Sequence, residues 1–528
     1  MRSSSDIASA PCTDAAGLAG GRLRAALAAA CALLGLLALG DKPLDVLALA
    51  DKPLAWAVGP AATGATGARK AERLEPCHVE GAGEELRCAT YPVWEDRAAR
   101  RGRKIGLRVV VLPALGPDPA PDPILFFAGG PGESAVSAGL DLIDDKELRS
   151  RRAIVLVDQR GTGRSNPLDC DLYGPGSHLK GGDRKLLAGP VFPPEAVHRC
   201  RQQLEKVADL RLYTTAIGMD DIDEVRAWLG YDKVNLVGGS YGTRAAQVYL
   251  RRHPRAVRSV VLNAVAPVDE PLPLHHAYAG KRAVDLLFAE CAADPACHAA
   301  FPRLADELRA VLERVDRGIK VSIADPRTGR AVEVTPDRGL VAEGIRFMMY
   351  GNGARQVPLA IHQAYGGDLA QLVNLSIDQR SRLSSALSEG LFFSITCAED
   401  IPFIDDAAAA RETAGTLLGD YRIRQQKRAC ADWPRGSVPS DVHELVRSDV
   451  PVLLFSGERD PVTPPEFGAR VASRLPNSLH LVMPHGAHGA DGPCADRIVR
   501  DFLDRASVKG LDTSCLTTPP PTRFVLAP

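Results

Sequence analysis

The sequence predicts an α/β fold: a mostly parallel central sheet with helices on both faces, split by an inserted, mainly helical segment. Three observations carry this expectation. Short apolar runs alternate with stretches of helical apolar spacing, the pattern of strands buried on both faces. One of those runs ends in a glycine-flanked serine that opens a helix. The strand rhythm stops after Pro267 and resumes at Pro451.

The strands are expected in order over 103–112, where Val109-Val110-Val111 closes an alternating stretch, then over 123–127, 153–157, 234–237 and 257–265. Helical spacing over 215–229 stops at Gly230, and a second helix over 241–252 halts at Pro254. From 267 to 449 helical patterns dominate, as over 281–291 and 301–315, with a short β-like stretch at 320–334. Strands return at 451–455 and 479–483, and 491–506 reads as a terminal amphipathic helix. The expected organisation is a leader and linker (1–57), a first part of the α/β core (58–266), the insertion (267–449) and a second part of the core (450–528).

The leader differs from the rest of the chain. Arg22 and Arg24 precede an uncharged run from Ala25 to Gly40, shorter than the roughly 20 residues of a bilayer-spanning helix. A basic flank followed by a short apolar stretch predicts a secretory signal, with small-x-small cleavage sites at Ala48-Leu49-Ala50 or Ala55-Trp56-Ala57. An uncleaved membrane anchor is the alternative. A lipoprotein signal ending at Cys31 fits less well, because apolar residues continue past it. The 12 cysteines include Cys12 and Cys31 in the leader, so an even number remains, which predicts disulfides in an oxidising compartment. The chain is thus expected to be secreted or periplasmic. Sequence alone does not fix connectivity. Pairing neighbours gives the expected set Cys77–Cys88, Cys170–Cys200, Cys291–Cys297, Cys397–Cys430 and Cys494–Cys515. A net charge of -1 with no long basic stretch gives nucleic-acid binding no electrostatic support. No cysteine or histidine cluster has zinc spacing, and no phosphate loop or dinucleotide fingerprint is present, so neither a metal nor a cofactor is expected.

The chemistry centres on Gly238-Gly239-Ser240-Tyr241-Gly242. A serine on a sharp strand-to-helix turn presents its hydroxyl at the carboxyl end of a sheet, and the backbone N–H of Tyr241 can there donate to a developing oxyanion. Serine needs a base, and the base needs an orienting acid. In this arrangement the chain order is serine, acid, histidine. Asp460 follows one late strand, and His488 follows the next. Glu458 and His485 are their rivals, with Glu458 expected to serve the turn. Ala128-Gly129-Gly130-Pro131-Gly132 follows an earlier strand, and Gly130 N–H is the expected second oxyanion donor. Asp158 and Arg160, in Asp158-Gln159-Arg160-Gly161, are expected to hold that loop.

Together, GGPG, DQRGTGRS, GGSYG, SGERDPVTP and the late His-Gly resemble the prolyl iminopeptidase and tripeptidyl aminopeptidase family of α/β-hydrolases, from about Cys77 to Cys515. Ala128 stands where a histidine often precedes GGPG in prolyl iminopeptidases, which tilts the likeness toward the tripeptidyl branch. The resemblance implies an α/β-hydrolase fold, makes 267–449 the cap over the active site and 450–528 a region like that of the tripeptidyl aminopeptidases. It also implies peptidase activity on N-terminal residues. Recognition of an N-terminal amine needs a buried acid, for which Glu133, Glu399 and Asp400 are the candidates. An exported esterase acting on small esters or lactones, and a non-catalytic hydrolase-shaped binding protein, are the alternatives. The expected partner is thus a peptide or small ester, with no stable membrane association beyond a retained leader.

Overall fold

The computed structural model describes residues 73–516, apart from 326–327, and residues 522–527. The leader, its cleavage sites and the linker lie outside the described residues. Nine strands form one sheet in the order β1-β2-β3-β5-β4-β6-β7-β10-β11. They are β1 (Glu75–Cys77), β2 (Leu86–Trp94), β3 (Lys104–Leu112), β4 (Ile124–Phe127), β5 (Ile154–Val157), β6 (Val234–Gly239), β7 (Val257–Asn263), β10 (Val452–Gly457) and β11 (Ser478–Met483). The first three pair antiparallel, and β3 also meets β5 antiparallel. From β5 onward every pairing is parallel.

The apolar runs form strands because both faces of the sheet are covered. Along β3, Val109 and Val111 join one hydrophobic cluster while Val110 and Leu112 join the other, as a side-chain period of two requires. The second cluster also takes Ile498 and Phe502 from the terminal helix Pro493–Arg505. The sequence pattern missed β1 and β2. In β2 the buried ends, Leu86 and Val93, flank exposed Arg87, Thr90 and Pro92, so no continuous apolar run marks the strand. Pro92 is tolerated because β1 pairs only as far as Cys88, leaving that part of β2 on an edge.

Between β7 and β10 the chain is mainly helical. It includes Arg338–Met348, Leu369–Ala386, Glu389–Glu399 and Tyr421–Cys430, and one hairpin of β8 (Val321–Ala324) and β9 (Ala331–Val334). The helix Arg338–Met348 is capped by Asp337, whose carboxylate accepts from Leu340 N at 2.7 Å. Its apolar side and those of its neighbours, such as Ile345, Ile377 and Phe393, belong to the same cluster as Phe127 and Leu236 of the sheet. The ten described cysteines pair as neighbours: Cys77–Cys88, Cys170–Cys200, Cys291–Cys297, Cys397–Cys430 and Cys494–Cys515. No helix among the described residues is long and apolar enough to cross a membrane.

Candidate active site

The site begins at the end of β6. Ser240 has φ +54° and ψ −124°, a conformation L-residues rarely adopt. Its amide donates to Asn263 O at 3.0 Å, and its carbonyl accepts from Thr243 N at 2.9 Å and Thr243 Oγ1 at 2.6 Å. The flanking glycines are required by close approach. A Cβ on Gly242 would lie 2.1 Å from Phe127 O, and one on Gly238 would lie 2.3 Å from Gly242 O. The helix Tyr241–Arg252 starts immediately after the serine, so the Tyr241 amide is one of its first-turn donors without an intrahelical partner.

Asp460 lies in the turn after β10 and is fully buried. Oδ1 accepts from Val462 N at 2.9 Å and Thr463 N at 2.8 Å, and Oδ2 accepts from Thr463 Oγ1 at 2.7 Å. Both oxygens lie 2.9 Å from His488 Nδ1. The imidazole is braced from two further sides. The His488 amide donates to Tyr350 O at 3.2 Å, and the Tyr350 ring lies 4.7 Å from the imidazole centroid. Asn263, whose carbonyl holds Ser240 N, also grips the histidine loop: Nδ2 donates to Ala490 O at 2.9 Å and Oδ1 accepts from Ala490 N at 2.8 Å. One residue at the tip of β7 therefore spaces the serine turn from the histidine loop. The rivals stand elsewhere. Glu458 accepts from His485 N at 2.8 Å and serves the turn, and His485 pairs with Glu290 at 2.8 Å.

Ser240, Tyr241, Gly130, Glu133 and His488 line one cavity of about 300 Å³. Other lining residues, Arg346, Phe347, Phe392 and Arg422, come from the helices between β7 and β10. A direct hydrogen bond between Ser240 Oγ and His488 is not among those formed by the described residues. Such contacts are often loose without substrate and tighten in the complex. A second histidine, His276, also faces this space, but both its ring nitrogens lack partners. Burial, with Arg346 and Arg422 nearby, holds its pKa well below the ordinary imidazole value.

The loop after β4 is fixed from behind. Asp158 accepts from Ser134 Oγ at 2.6 Å, Val136 N at 3.0 Å and Arg164 N at 3.0 Å. Arg160 forks onto Asp221 at 2.6 and 3.0 Å and donates to Glu95 O and Leu212 O. Gly129 N donates to Glu133 Oε2 at 3.0 Å. A Cβ at Gly129 would stand 3.1 Å from that oxygen and 3.5 Å from Ser240 Cβ, so the Glu133 carboxylate sits beside the serine. Burial raises its pKa, and the Gly129 bond opposes the shift.

The other two acids are a correction. Glu399 and Asp400 are buried but do not line this cavity. Glu399 accepts from Thr215 N at 2.6 Å and Thr215 Oγ1 at 2.7 Å, and Thr215 Oγ1 in turn lies 2.8 Å from Tyr241 OH. Asp400 pairs with Arg244 at 2.7 Å and accepts from Leu272 N at 3.0 Å. Their lone pairs are spent on the scaffold. Thr463, Tyr350, Asn263, Arg346 and Arg422 also belong to the site, and all but Thr463 stand in no motif of the sequence. Only Thr463, three residues after the acid, had a local cue.

Residues 122–339 match the family model described as alpha/beta hydrolase fold, and residues 415–515 match the one described as TAP-like protein. The chain has the α/β-hydrolase fold, and its C-terminal part is similar to TAP-like proteins. Similar curated proteins include serine protease Hip1 of Mycobacterium tuberculosis (strain ATCC 25618 / H37Rv), 26% identical over 79% of this chain and 84% of that protein. Tripeptidyl aminopeptidase of Streptomyces lividans is 26% identical over 87% of this chain and 89% of its own length. Proline iminopeptidase of Neisseria gonorrhoeae is 27% identical over 27% of the chain and 32% of its own length.

Proposed function

We propose that the protein is an exported serine aminopeptidase that releases N-terminal tripeptides or single residues through an acyl-serine intermediate. The observation that carries this reading is that Ser240 and His488 share one cavity while buried Asp460 fixes the imidazole from behind. Ser240 Oγ attacks the scissile carbonyl carbon as His488 takes its proton. The carbonyl oxygen becomes an oxyanion facing the Tyr241 and Gly130 amides. Collapse breaks the C–N bond, and the amine leaves with the proton held on His488. Water, deprotonated by the same imidazole, then attacks the acyl-serine, and Ser240 recovers its proton. Asp460 orients the imidazole and stabilises the imidazolium that forms.

Residues 267–449 are the cap in this reading, since their helices supply much of the lining of the cavity that holds the serine. Glu133 is the acid placed to meet a substrate amine. The names of the two relatives that align over most of the chain support peptidase chemistry. The leader pattern and five cysteine pairs support export. One observation favours a second reading, an esterase: with Glu399 and Asp400 facing away, only Glu133 remains to hold an amine. A fluorophosphonate probe should label wild-type protein and spare Ser240→Ala. A peptide-library digest with mass analysis of products then separates the readings. Release of one or three N-terminal residues is expected; labelling with hydrolysis of simple esters alone would replace the peptidase by the esterase. No labelling would overturn both.

A further inference from the structure

The cap end of the cavity is cationic. Arg346 and Arg422 both line it, and they are only 4% and 7% exposed. They share a single carboxylate, Glu343, itself 2% exposed, with Arg422 Nη1 at 3.2 Å and Arg346 Nη2 at 3.6 Å. Arg346 Nη1 also donates to Tyr350 OH at 3.2 Å. The Nε atoms of both arginines are buried without a hydrogen-bond partner. Around them the wall is largely aromatic. The Arg422 guanidinium lies 4.8 Å from the Phe192 ring centroid and the Arg346 guanidinium 4.5 Å from that of Phe347.

Glu133, an acid that lines the cavity, accepts the Gly129 amide through Oε2, and no ion pair joins it to either arginine among the described residues. The two guanidiniums share the one carboxylate of Glu343, and each keeps a buried Nε–H donor without an acceptor, a cost that an arriving anion would relieve. If the arginines only held Glu343, one would suffice and neither would need to face the cavity. Arginine's planar fork matches a carboxylate with paired N–H donors.

We infer that the substrate carries a carboxylate and that Arg346 and Arg422 receive it. This rests on the serine-hydrolase reading and narrows the substrate class of that site. In a peptide the carboxylate has two sources: the free C-terminus of a short chain, or an acidic side chain. A cavity of about 300 Å³ suits a short peptide better than a long one.

The test is competition against fluorophosphonate labelling of the wild-type protein, so that binding is read without requiring turnover. One competitor pair is a short peptide as its free acid and as its C-terminal amide. The other is an amidated peptide carrying glutamate or glutamine. Charge-assisted hydrogen bonds predict that the carboxylate member of at least one pair protects Ser240 about tenfold better than its neutral partner. The pair that responds identifies the source. Arg422→Gln, and separately Arg346→Lys, should cut that preference to below about twofold, with thermal melts checking that each variant folds. Equal protection within both pairs on labelled wild-type protein overturns the inference, whatever the variants do. Absence of labelling strikes the serine-hydrolase reading instead.

Discussion

The serine turn stores strain that only the surrounding contacts maintain. At φ +54° and ψ −124°, Ser240 sits where an L-residue costs on the order of 1–3 kcal/mol. The bonds to Asn263 O and from Thr243 hold it there. Ser240→Gly should therefore abolish hydrolysis yet raise stability by about 1 kcal/mol, the relieved strain exceeding glycine's added chain entropy. Ser240→Ala keeps the strain and should not show that gain; chemical denaturation of the two variants side by side checks it, and a Gly variant less stable than the Ala variant would contradict the strain argument. Asp460 acts through geometry as much as charge. Two backbone amides and the Thr463 hydroxyl pin its oxygens. In Asp460→Asn the oxygen would stay with those amides and the NH₂ would face His488, forcing the wrong tautomer. Turnover should fall by about 10³–10⁴-fold with little change in fold, measured as kcat on any substrate the wild type accepts.

At the scale of elements, the helix Glu389–Glu399 explains why the orientation of Glu399 and Asp400 is not legible in the sequence. Every residue in it is buried, so it has no polar face from which orientation could be read. Its last residue, Glu399, caps the start of the helix Thr215–Trp228 through Thr215 and reaches Tyr241 OH through the same hydroxyl. Burial pushes the Glu399 carboxyl up to about 7, and burial pushes Glu389 at the other end up to about 8. Both folded values lie above the ordinary 4.5. The folded state therefore keeps protons that the unfolded chain releases, and stability falls as pH rises from about 4.5 through 8. Glu399→Gln keeps an acceptor for Thr215 N and removes one of the two titrations. Relative to wild type it should gain on the order of 2 kcal/mol between pH 5 and pH 8, read from urea unfolding at both values. A constant difference would show that Glu399 is ionised in the fold. Asn263→Ala probes a second element junction. It leaves the Ala490 amide and carbonyl unpartnered and frees the histidine loop, so kcat should drop about tenfold or more while KM changes little.

For the molecule as a whole, what the sequence disclosed follows from what surrounds each part. The inner parallel strands were legible because burial on both faces writes them as apolar runs, and the partly exposed edge strand β11 through Leu479, Leu481 and Val482; Ser240, Asp460 and His488 each follow one of these strands. The half-exposed β2 left no run. Arg346 and Arg422 left no motif, since they meet only when Arg338–Met348 and Tyr421–Cys430 pack over the sheet. The disulfides divide along the same line. Cys397–Cys430 ties Glu389–Glu399 to Tyr421–Cys430, the two helices that put Phe392 and Arg422 on the cavity wall. Cys494–Cys515 fastens the terminal helix on the far side of the sheet, against the cluster containing Ile498 and Phe502. Loop closures spanning 33 and 21 residues should stabilise by similar amounts, about 3–4 kcal/mol each. Their effects on function should diverge. Replacing Cys397 and Cys430 by alanine loosens the wall and should raise KM several-fold, whereas replacing Cys494 and Cys515 should cost comparable stability and leave KM within about twofold. Urea unfolding and steady-state kinetics on the two double variants decide this; equal rises in KM would mean that the helices Glu389–Glu399 and Tyr421–Cys430 do not shape the substrate site independently of the sheet.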